Sequence, residues 1–201
     1  MPLVSCPRNK QVRLAAAHLI ATKDMLVSET VHRIGEGVCD RIHLMRSFES
    51  ISALGLVSDT HGLLRDSVRV ALSGVGLIIH AGDVGRRSIL EQLEAIAPVV
   101  AVCGNVDSGL AGLSPTETVS VNGHLIYVLH NLETLDLVPE KAGISIVVSG
   151  HSHRARIDRK NGVYYINPGS VGPRRFQLPI TYATVAFRGN EPIVKIIEHD
   201  Q

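Results

Sequence analysis

The rhythm of apolar and polar positions changes near residue 50. From there on, short continuous apolar runs alternate with amphipathic stretches. Residues 53–58, 77–80 and 99–102 read as strands covered on both faces, because their apolar runs are barely interrupted before they end. Between them, residues 64–72 and 88–96 carry apolar positions at helical spacing. The second half reads differently. Asn122-Gly123 and Asn161-Gly162 each stand between two strand-like runs, and Asn-Gly marks a two-residue hairpin because both turn residues need φ > 0. Residues 144–149 form another buried strand, and 181–187 pair with 193–198 around Gly189-Asn190. The order is βαβαβ followed by mostly antiparallel strands. It predicts an α/β chain (α+β in some schemes) with two mixed β-sheets stacked face to face and helices outside. Residues 1–50 show no strong strand pattern, and 11–20 and 25–34 are expected as short helices. The expected organisation is a poorly defined N-terminal extension, 1–50, and one domain, 51–201. Met45, just before the first strand, is a candidate alternative start.

Composition narrows the class. Twenty Lys+Arg against nineteen Asp+Glu leave +1 over 201 residues. Residues 1–50 carry +2, so the remainder carries −1, which lacks the basic footprint of a dedicated nucleic-acid binder. Aromatic residues are 3% and Trp is absent, which argues against stacking platforms for bases. Cys6, Cys39 and Cys103 are widely spaced and form no C-x-x-C, so a disulfide framework or zinc finger is not expected and a reducing, cytoplasmic setting fits. No apolar run approaches the roughly 18 residues of a membrane span. The apolar stretch 14–21 after Arg8, Lys10 and Arg13 faintly resembles a signal peptide, but it is short and His18 interrupts it. Ten histidines stand out, since imidazole is the commonest metal ligand. His18, His32 and His43 form no local cluster and read as exposed polar residues.

The other polar residues that need explaining follow the strands. Ser58-Asp-Thr-His-Gly62, His80-Ala-Gly-Asp-Val-Gly85 and Cys103-Gly-Asn-Val-Asp107 follow the first three, and His130-Asn131 and Gly150-His-Ser-His153 follow two later ones. Residues after the carboxyl ends of parallel strands collect on one sheet edge, where open α/β folds place ligands. The set Asp59, His61, Asp83, Asn105, His130, His151 and His153 holds two carboxylates, four imidazoles and one amide, with no thiolate. Mixed oxygen and nitrogen ligands suit Mn²⁺, Fe²⁺, Ni²⁺ or Zn²⁺. Seven side chains exceed the needs of one such ion but suit two that share a bridging carboxylate, the two-metal clamp for displacement at phosphorus. In Asp59-x-His61 and His151-x-His153 the two side chains would share a face of an extended chain, and at a strand end a turn can also converge them. Each fragment alone is weak; the specificity lies in their order.

Residues 53–188 resemble the calcineurin-like metallophosphoesterase superfamily, and most closely its small, single-domain phosphodiesterase branch of bacteria and archaea. The matching stretches are Val57-Ser-Asp-Thr-His-Gly62, His80-Ala-Gly-Asp-Val84, Gly104-Asn-Val-Asp107, His130, Gly150-His-Ser-His153 and Asn167-Pro-Gly-Ser170. The resemblance implies a four-layer αββα sandwich and a dinuclear metal centre. It puts Asp59, His61 and His153 on one ion, Asn105, His130 and His151 on the other, and Asp83 between them. The same seven residues are then the catalytic set: a metal-activated hydroxide attacks phosphorus in line. Two divalent ions are implied, manganese first, with iron, nickel, zinc or magnesium as alternatives. The expected substrate is a small-molecule phosphate ester, most simply a phosphodiester. No membrane partner is expected, and homo-oligomerisation stays open.

Two departures from the family pattern matter. Many members carry G-N-H-[ED], whose His serves as leaving-group acid; here Val106 takes its place, as an apolar residue also does in the small branch. After His130 come Asn131 and Leu132, where the small branch often reads H-G-H. Other residues look secondary. His80 is either a helper orienting Asp83 or a satisfied core histidine, and Asp107 is either a supporting residue or a turn former. Asn167-Pro-Gly-Ser170 reads as a supporting turn, and His124 and His199 as solvent-facing. Cys103 reads as a small buried residue, and Arg86, Arg87, Arg174 and Arg175 as surface cations that could attract phosphate. Three competing readings remain. One is a catalytically silent scaffold, as in the retromer subunit of this fold. Another is a nuclease, against which the −1 core and the absence of capping domains argue. The third is a protein phosphatase, whose G-D-x-x-D-R-G and G-N-H-E segments are missing.

Overall fold

The computed structural model describes residues 27–32, 43–175, 177–189 and 191–199. In chain order its elements are β1 (Val27–His32), β2 (His43–Phe48), β3 (Ala53–Val57), α1 (Asp66–Ala71), β4 (Leu77–His80), α2 (Arg87–Glu94) and β5 (Val99–Ala101). There follow β6 (Thr116–Val121), β7 (His124–Leu129), β8 (Ile144–Val148), β9 (Arg156–Lys160), β10 (Val163–Asn167), β11 (Ile180–Arg188) and β12 (Glu191–His199). They build a five-stranded sheet, β12-β11-β3-β4-β5, and a seven-stranded sheet, β1-β2-β6-β7-β8-β10-β9. Both are mixed. β3, β4 and β5 run parallel, with β11 antiparallel to β3.

Alternation along the strands divides the core. Leu54, Leu56, Leu77 and Ile79 point between the sheets, where they meet Val119, Val121, Ile126, Val128, Ile146 and Val148. Their neighbours Val57 and Ile78 face the other way and pack under Val68 of α1, Leu72 just after it, and Ile89, Leu90 and Leu93 of α2. β3 and β4 are therefore buried on both faces, which is why their sequences read as unbroken apolar runs. On the far side, Tyr127, Leu129, Val147 and Val163 are covered by Leu135 and Leu137, beside a single 3₁₀ turn, Leu132–Thr134. Among the described residues that turn is all the helix on this face, so the fourth layer is thin.

The hairpins form where Asn-Gly predicts them. Asn122 and Gly123 have φ of 49° and 78°, and Asn161 and Gly162 have 51° and 84°, with Val121 opposite His124 and Lys160 opposite Val163. The later strands are less antiparallel than expected: β7 and β8, and β8 and β10, pair in parallel.

The first 50 residues hold the main correction. The stretch 25–34, expected as a helix, contains the strand β1, paired residue for residue with β2. Val27, Thr30 and Val31 are β-branched, and an antiparallel partner outweighs the weak helical spacing. β2 in turn runs parallel to β6 through Arg46–Phe48 opposite Val119–Val121. The helix expected at 11–20 and the apolar stretch 14–21 lie outside the described residues. Asn122 fixes the entry to the core, accepting from the Ile51 amide (3.0 Å) and donating to its carbonyl (2.7 Å). Among the described residues no helix is long and apolar enough to cross a membrane.

Phe48 and Ile51 are each 3% exposed and lie in the central core. A chain starting at Met45 keeps these residues and the β2–β6 pairing, and should melt within a few degrees of the full chain. Phe48→Ala should cost about 3–5 kcal/mol in denaturant unfolding. Equal losses from both changes would mean that residues 1–44 carry core packing.

Candidate metal centre

The parallel strands β3, β4 and β5 end on one edge, and β7 and β8 of the other sheet end beside them. Short backbone bonds lace the loops together: the Asp59 amide donates to Gly82 (3.0 Å), His61 to Asp83 (2.9 Å) and Gly150 to His130 (2.9 Å). Asp59, His61, Asp83, His151 and His153 all have left-handed φ, between 46° and 68°, five of the eight such non-glycine residues described. That conformation is costly for residues with a Cβ and concentrates at functional sites. Two glycines make room. A Cβ on Gly82 (φ 87°) would lie 2.7 Å from the His130 ring, and one on Gly150 would strike Ser58 Oγ and come within 2.8 Å of Asp59 Oδ2.

Five of the seven expected residues converge. Asp59 Oδ1 lies 3.2 Å from His153 Nε2 and 3.9 Å from His61 Nε2. Asp83 reaches both ways, with Oδ2 3.7 Å from His61 Nε2 and Oδ1 3.5 Å from His130 Nε2. Asp59, His61 and His153 form one cluster, and Asp59, Asp83 and His130 a second, with ligand atoms within 4.8 Å of one another in each. His151 lies at the exposed rim, its ring edge-on to His130 at 5.2 Å and its amide donating to Asp59 Oδ2 (3.2 Å). Asn105 is exposed on the loop after β5, beside Val106, whose amide donates to Asp83 Oδ1 (3.0 Å).

Burial governs the charge states. Asp59 is pushed up to about 6, chiefly because its carboxyl is buried. His153 is pushed down to about 4 by burial, with the charges of His61 and Arg175 adding to the effect, and His61 is lowered for similar reasons. Burial would raise Asp83 too, but the nearness of His130 and the Val106 amide prevail and hold it far below the usual carboxylate range. In return His130 is raised despite its burial, by Asp83 and by its 2.7 Å bond to the Ala81 carbonyl. Nδ1 donates in that bond, which leaves the Nε2 lone pair facing the cluster.

The donor set fits divalent cations. Buried Asp59 Oδ1 and His130 Nε2 have no hydrogen-bond partner, although buried polar atoms almost always find one. Both atoms point into the cluster, and carboxylate oxygen with imidazole nitrogen is the mixture borderline divalent ions take.

Residues outside the expected set hold the loops in place. Asp107, 1% exposed, accepts from the amides of Val84 (3.0 Å), Gly85 (2.8 Å) and Gly104 (2.8 Å), and so ties the loop after β4 to the loop after β5. Of the two readings the sequence left open, supporting residue and turn former, its bonds to both loops fit the first. His80 makes no hydrogen bond to Asp83; its Nε2 meets Thr60 Oγ1 (2.9 Å), which donates to the Val84 carbonyl (2.9 Å), and burial pushes its pKa down to about 4. Asn167 donates to the Gly150 carbonyl (2.6 Å) and Ser170 to the Asp59 carbonyl (3.0 Å), so the turn they bound braces the site. Arg65, which drew no attention in the sequence, clamps the Val171 and Gly172 carbonyls at 2.7 Å each. Nothing local distinguishes it from other surface arginines. His124 is half-buried against Phe187 rather than solvent-facing, and Cys103 is only partly buried.

Comparison with known proteins agrees with this geometry. The family model described as the calcineurin-like phosphoesterase superfamily domain matches residues 53–190. A probable metallophosphoesterase of Methanocaldococcus jannaschii is 35% identical over 130 residues, 58% of this chain and 67% of that protein. Phosphodiesterase YfcE of Escherichia coli is 27% identical over 174 residues, 74% of this chain and 93% of that protein. A structure from Streptococcus pneumoniae, titled a predicted phosphoesterase, superposes with TM-score 0.60 at 23% identity, covering 74% of this chain and 90% of that one. Vps29 of Chaetomium thermophilum does so with TM-score 0.61 at 15% identity, covering 73% and 96%. At these identities the two structures speak for the fold alone.

Two outcomes follow from the site. Asp59, pushed up to about 6, holds a proton near that pH in the cation-free protein, and a cation must displace it. Mn²⁺ affinity should therefore fall as pH drops through about 6, and calorimetry in buffers of different ionisation enthalpy should show proton release. Binding at pH 6 without proton release would contradict these charge states. Asp107→Asn exchanges an acceptor-only group for one that also presents N–H to backbone amides. It should lower Mn²⁺ affinity roughly 10- to 100-fold while the protein stays folded by circular dichroism; unchanged affinity would remove its positioning role.

Proposed function

The chain belongs to the calcineurin-like phosphoesterase superfamily, and we propose that it cleaves small-molecule phosphate diesters with the strand-end residues acting on two divalent cations, manganese first. It is a metal-dependent phosphoesterase, a hydrolase of phosphoric ester bonds. The observation that carries the two-cation reading is Asp83, whose two carboxylate oxygens face different imidazoles, His61 and His130. In this reading Asp59, His61 and His153 would hold one cation, Asn105, His130 and His151 would hold the other, and Asp83 would serve both. Bound there, two cations would lower the pKa of water and neutralise charge growing on the phosphoryl oxygens.

The chain's own residues do the rest. Asp83 stays anionic at any working pH, because its pKa lies so low. His61 and His153, lowered by burial, favour neutral rings, the form in which imidazole ligates a cation. Arg175 is close enough to depress both and offers positive charge to an arriving phosphate. No proton donor stands at position 106, where Val106 is 49% exposed. The leaving alcohol then departs unaided or takes its proton from solvent, so esters of acidic alcohols are the better substrates. The diester preference is supported by the similarity to the E. coli phosphodiesterase. Residues 51–201 are the proposed catalytic unit, and 1–50 an extension that lends β2 to the larger sheet. The near-neutral charge and the spacing of the cysteines support a cytoplasmic protein without a nucleic-acid surface. A second reading is a protein-binding scaffold of the same fold, and the likeness to Vps29 bears on that fold alone.

With Mn²⁺ the protein should hydrolyse bis(p-nitrophenyl) phosphate, a chelator should abolish the activity, and Asp83→Ala should remove both cation binding and turnover. Across aryl diesters the rate should fall steeply as the leaving alcohol becomes less acidic. A folded protein that binds Mn²⁺ and cleaves no diester would favour the scaffold.

A further inference from the structure

A cavity of about 380 Å³ opens beside the metal centre. Its wall runs from His151 and Asn131 past Leu132 and Arg154 to Tyr165. Around Leu132 and Tyr165 it meets a second hollow of about 510 Å³. Of the seven proposed ligands only His151 lines it, so the cavity touches the cation site without being part of it.

Asn131 and Leu132 are the residues where this chain departs from the H-G-H of the small phosphodiesterase branch it resembles, and here they form the wall. Asn131 Oδ1 accepts from the Glu133 amide (3.1 Å), and Thr134 Oγ1 donates to the Asn131 carbonyl (2.8 Å). These bonds start the 3₁₀ turn Leu132–Thr134 and leave the Leu132 side chain 41% exposed at the cavity. A glycine at 131 would have no side chain to make the first bond. Across the cavity stands the half-buried ring of Tyr165. The two arginines differ. Arg156 is neutralised by Asp158 at 2.6 Å, whereas Arg154 is exposed and has no carboxylate partner among the described residues. An aliphatic side chain, a phenol ring and a free guanidinium together hold a flat, π-rich group better than a short alkyl group.

We infer that this cavity receives the second ester arm of the substrate and selects an aromatic one, with Leu132, Arg154 and Tyr165 setting the preference. The inference rests on the phosphoesterase reading and names the substrate class within it: phosphodiesters with an aromatic arm beside the cleaved ester.

Two substrates that release the same nitrophenolate test it: bis(p-nitrophenyl) phosphate, with an aryl second arm, and methyl p-nitrophenyl phosphate, with a methyl one. The Mn²⁺-loaded protein should favour the aryl arm by about tenfold or more in kcat/KM, and Leu132→Ser and Arg154→Gln should each reduce that ratio at least about threefold, mainly through KM. Both side chains are exposed, so neither change threatens folding. A second readout needs neither metal nor turnover. In chelator-treated protein, phenylphosphonate should shift the backbone amides of Leu132, Arg154 and Tyr165 in NMR spectra, and methylphosphonate should not. Equal preference for the two diesters, a ratio the variants leave unchanged, or amide shifts confined to other residues would overturn the inference. If no diester is cleaved yet phenylphosphonate shifts those amides, the phosphoesterase reading falls while the aromatic subsite stands.

Discussion

Two carboxylates and three imidazoles are gathered, largely buried, where two sheets end side by side, and the rest of the molecule answers to that crowding. Removing such groups from water is unfavourable unless each is paired or neutralised. The chain shows the consequences directly. Asp59 and His153 both shift toward their neutral forms, and Asp59 Oδ1 and His130 Nε2 find no hydrogen-bond partner. A cluster of this kind is stable as part of a fold only if the surroundings hold it together firmly, and it becomes fully satisfied only when cations occupy it.

The surroundings do hold it. Of the five left-handed residues at the strand ends, Asp59, His61, Asp83 and His153 join the cluster and His151 stands at its rim, while Gly82 and Gly150 stand where a Cβ would collide with a ring or a carboxylate. Asp107 joins two loops with three amide bonds, Asn167 and Ser170 brace two others, and Arg65 clamps the segment behind them. Beneath this lies the double apolar layer of β3 and β4, rigid because it packs on both faces. Strain at the strand ends thus rests on a core that has no room to relax, which is the usual condition under which strained functional residues persist.

Much of this is legible in the sequence because strong local rules agree there. Unbroken apolar runs marked β3, β4, β5 and β8, Asn-Gly marked two hairpins, and polar residues at the ends of those runs marked the converging set. What escaped was non-local. β1 looked weakly helical because its strand character depends on a partner, β2, and through it on β6 in the middle of the chain. The supporting role of Asp107 stayed one of two open readings, and that of Arg65 escaped, because a carboxylate bonding three amides, or a guanidinium bonding two carbonyls, leaves no trace in residue spacing. Asn131 and Leu132 were visible only as departures from a pattern; their place in a cavity wall required the fold.

The central claim is that these strand ends build one site for two cations close enough to act together. Electron paramagnetic resonance of the protein titrated with Mn²⁺ tests it most directly, because ions about 3.5–4 Å apart couple magnetically and isolated ones do not. The account predicts an exchange-coupled spectrum that saturates at two Mn²⁺ per chain. The six-line spectrum of an isolated ion, persisting at saturation, would contradict it.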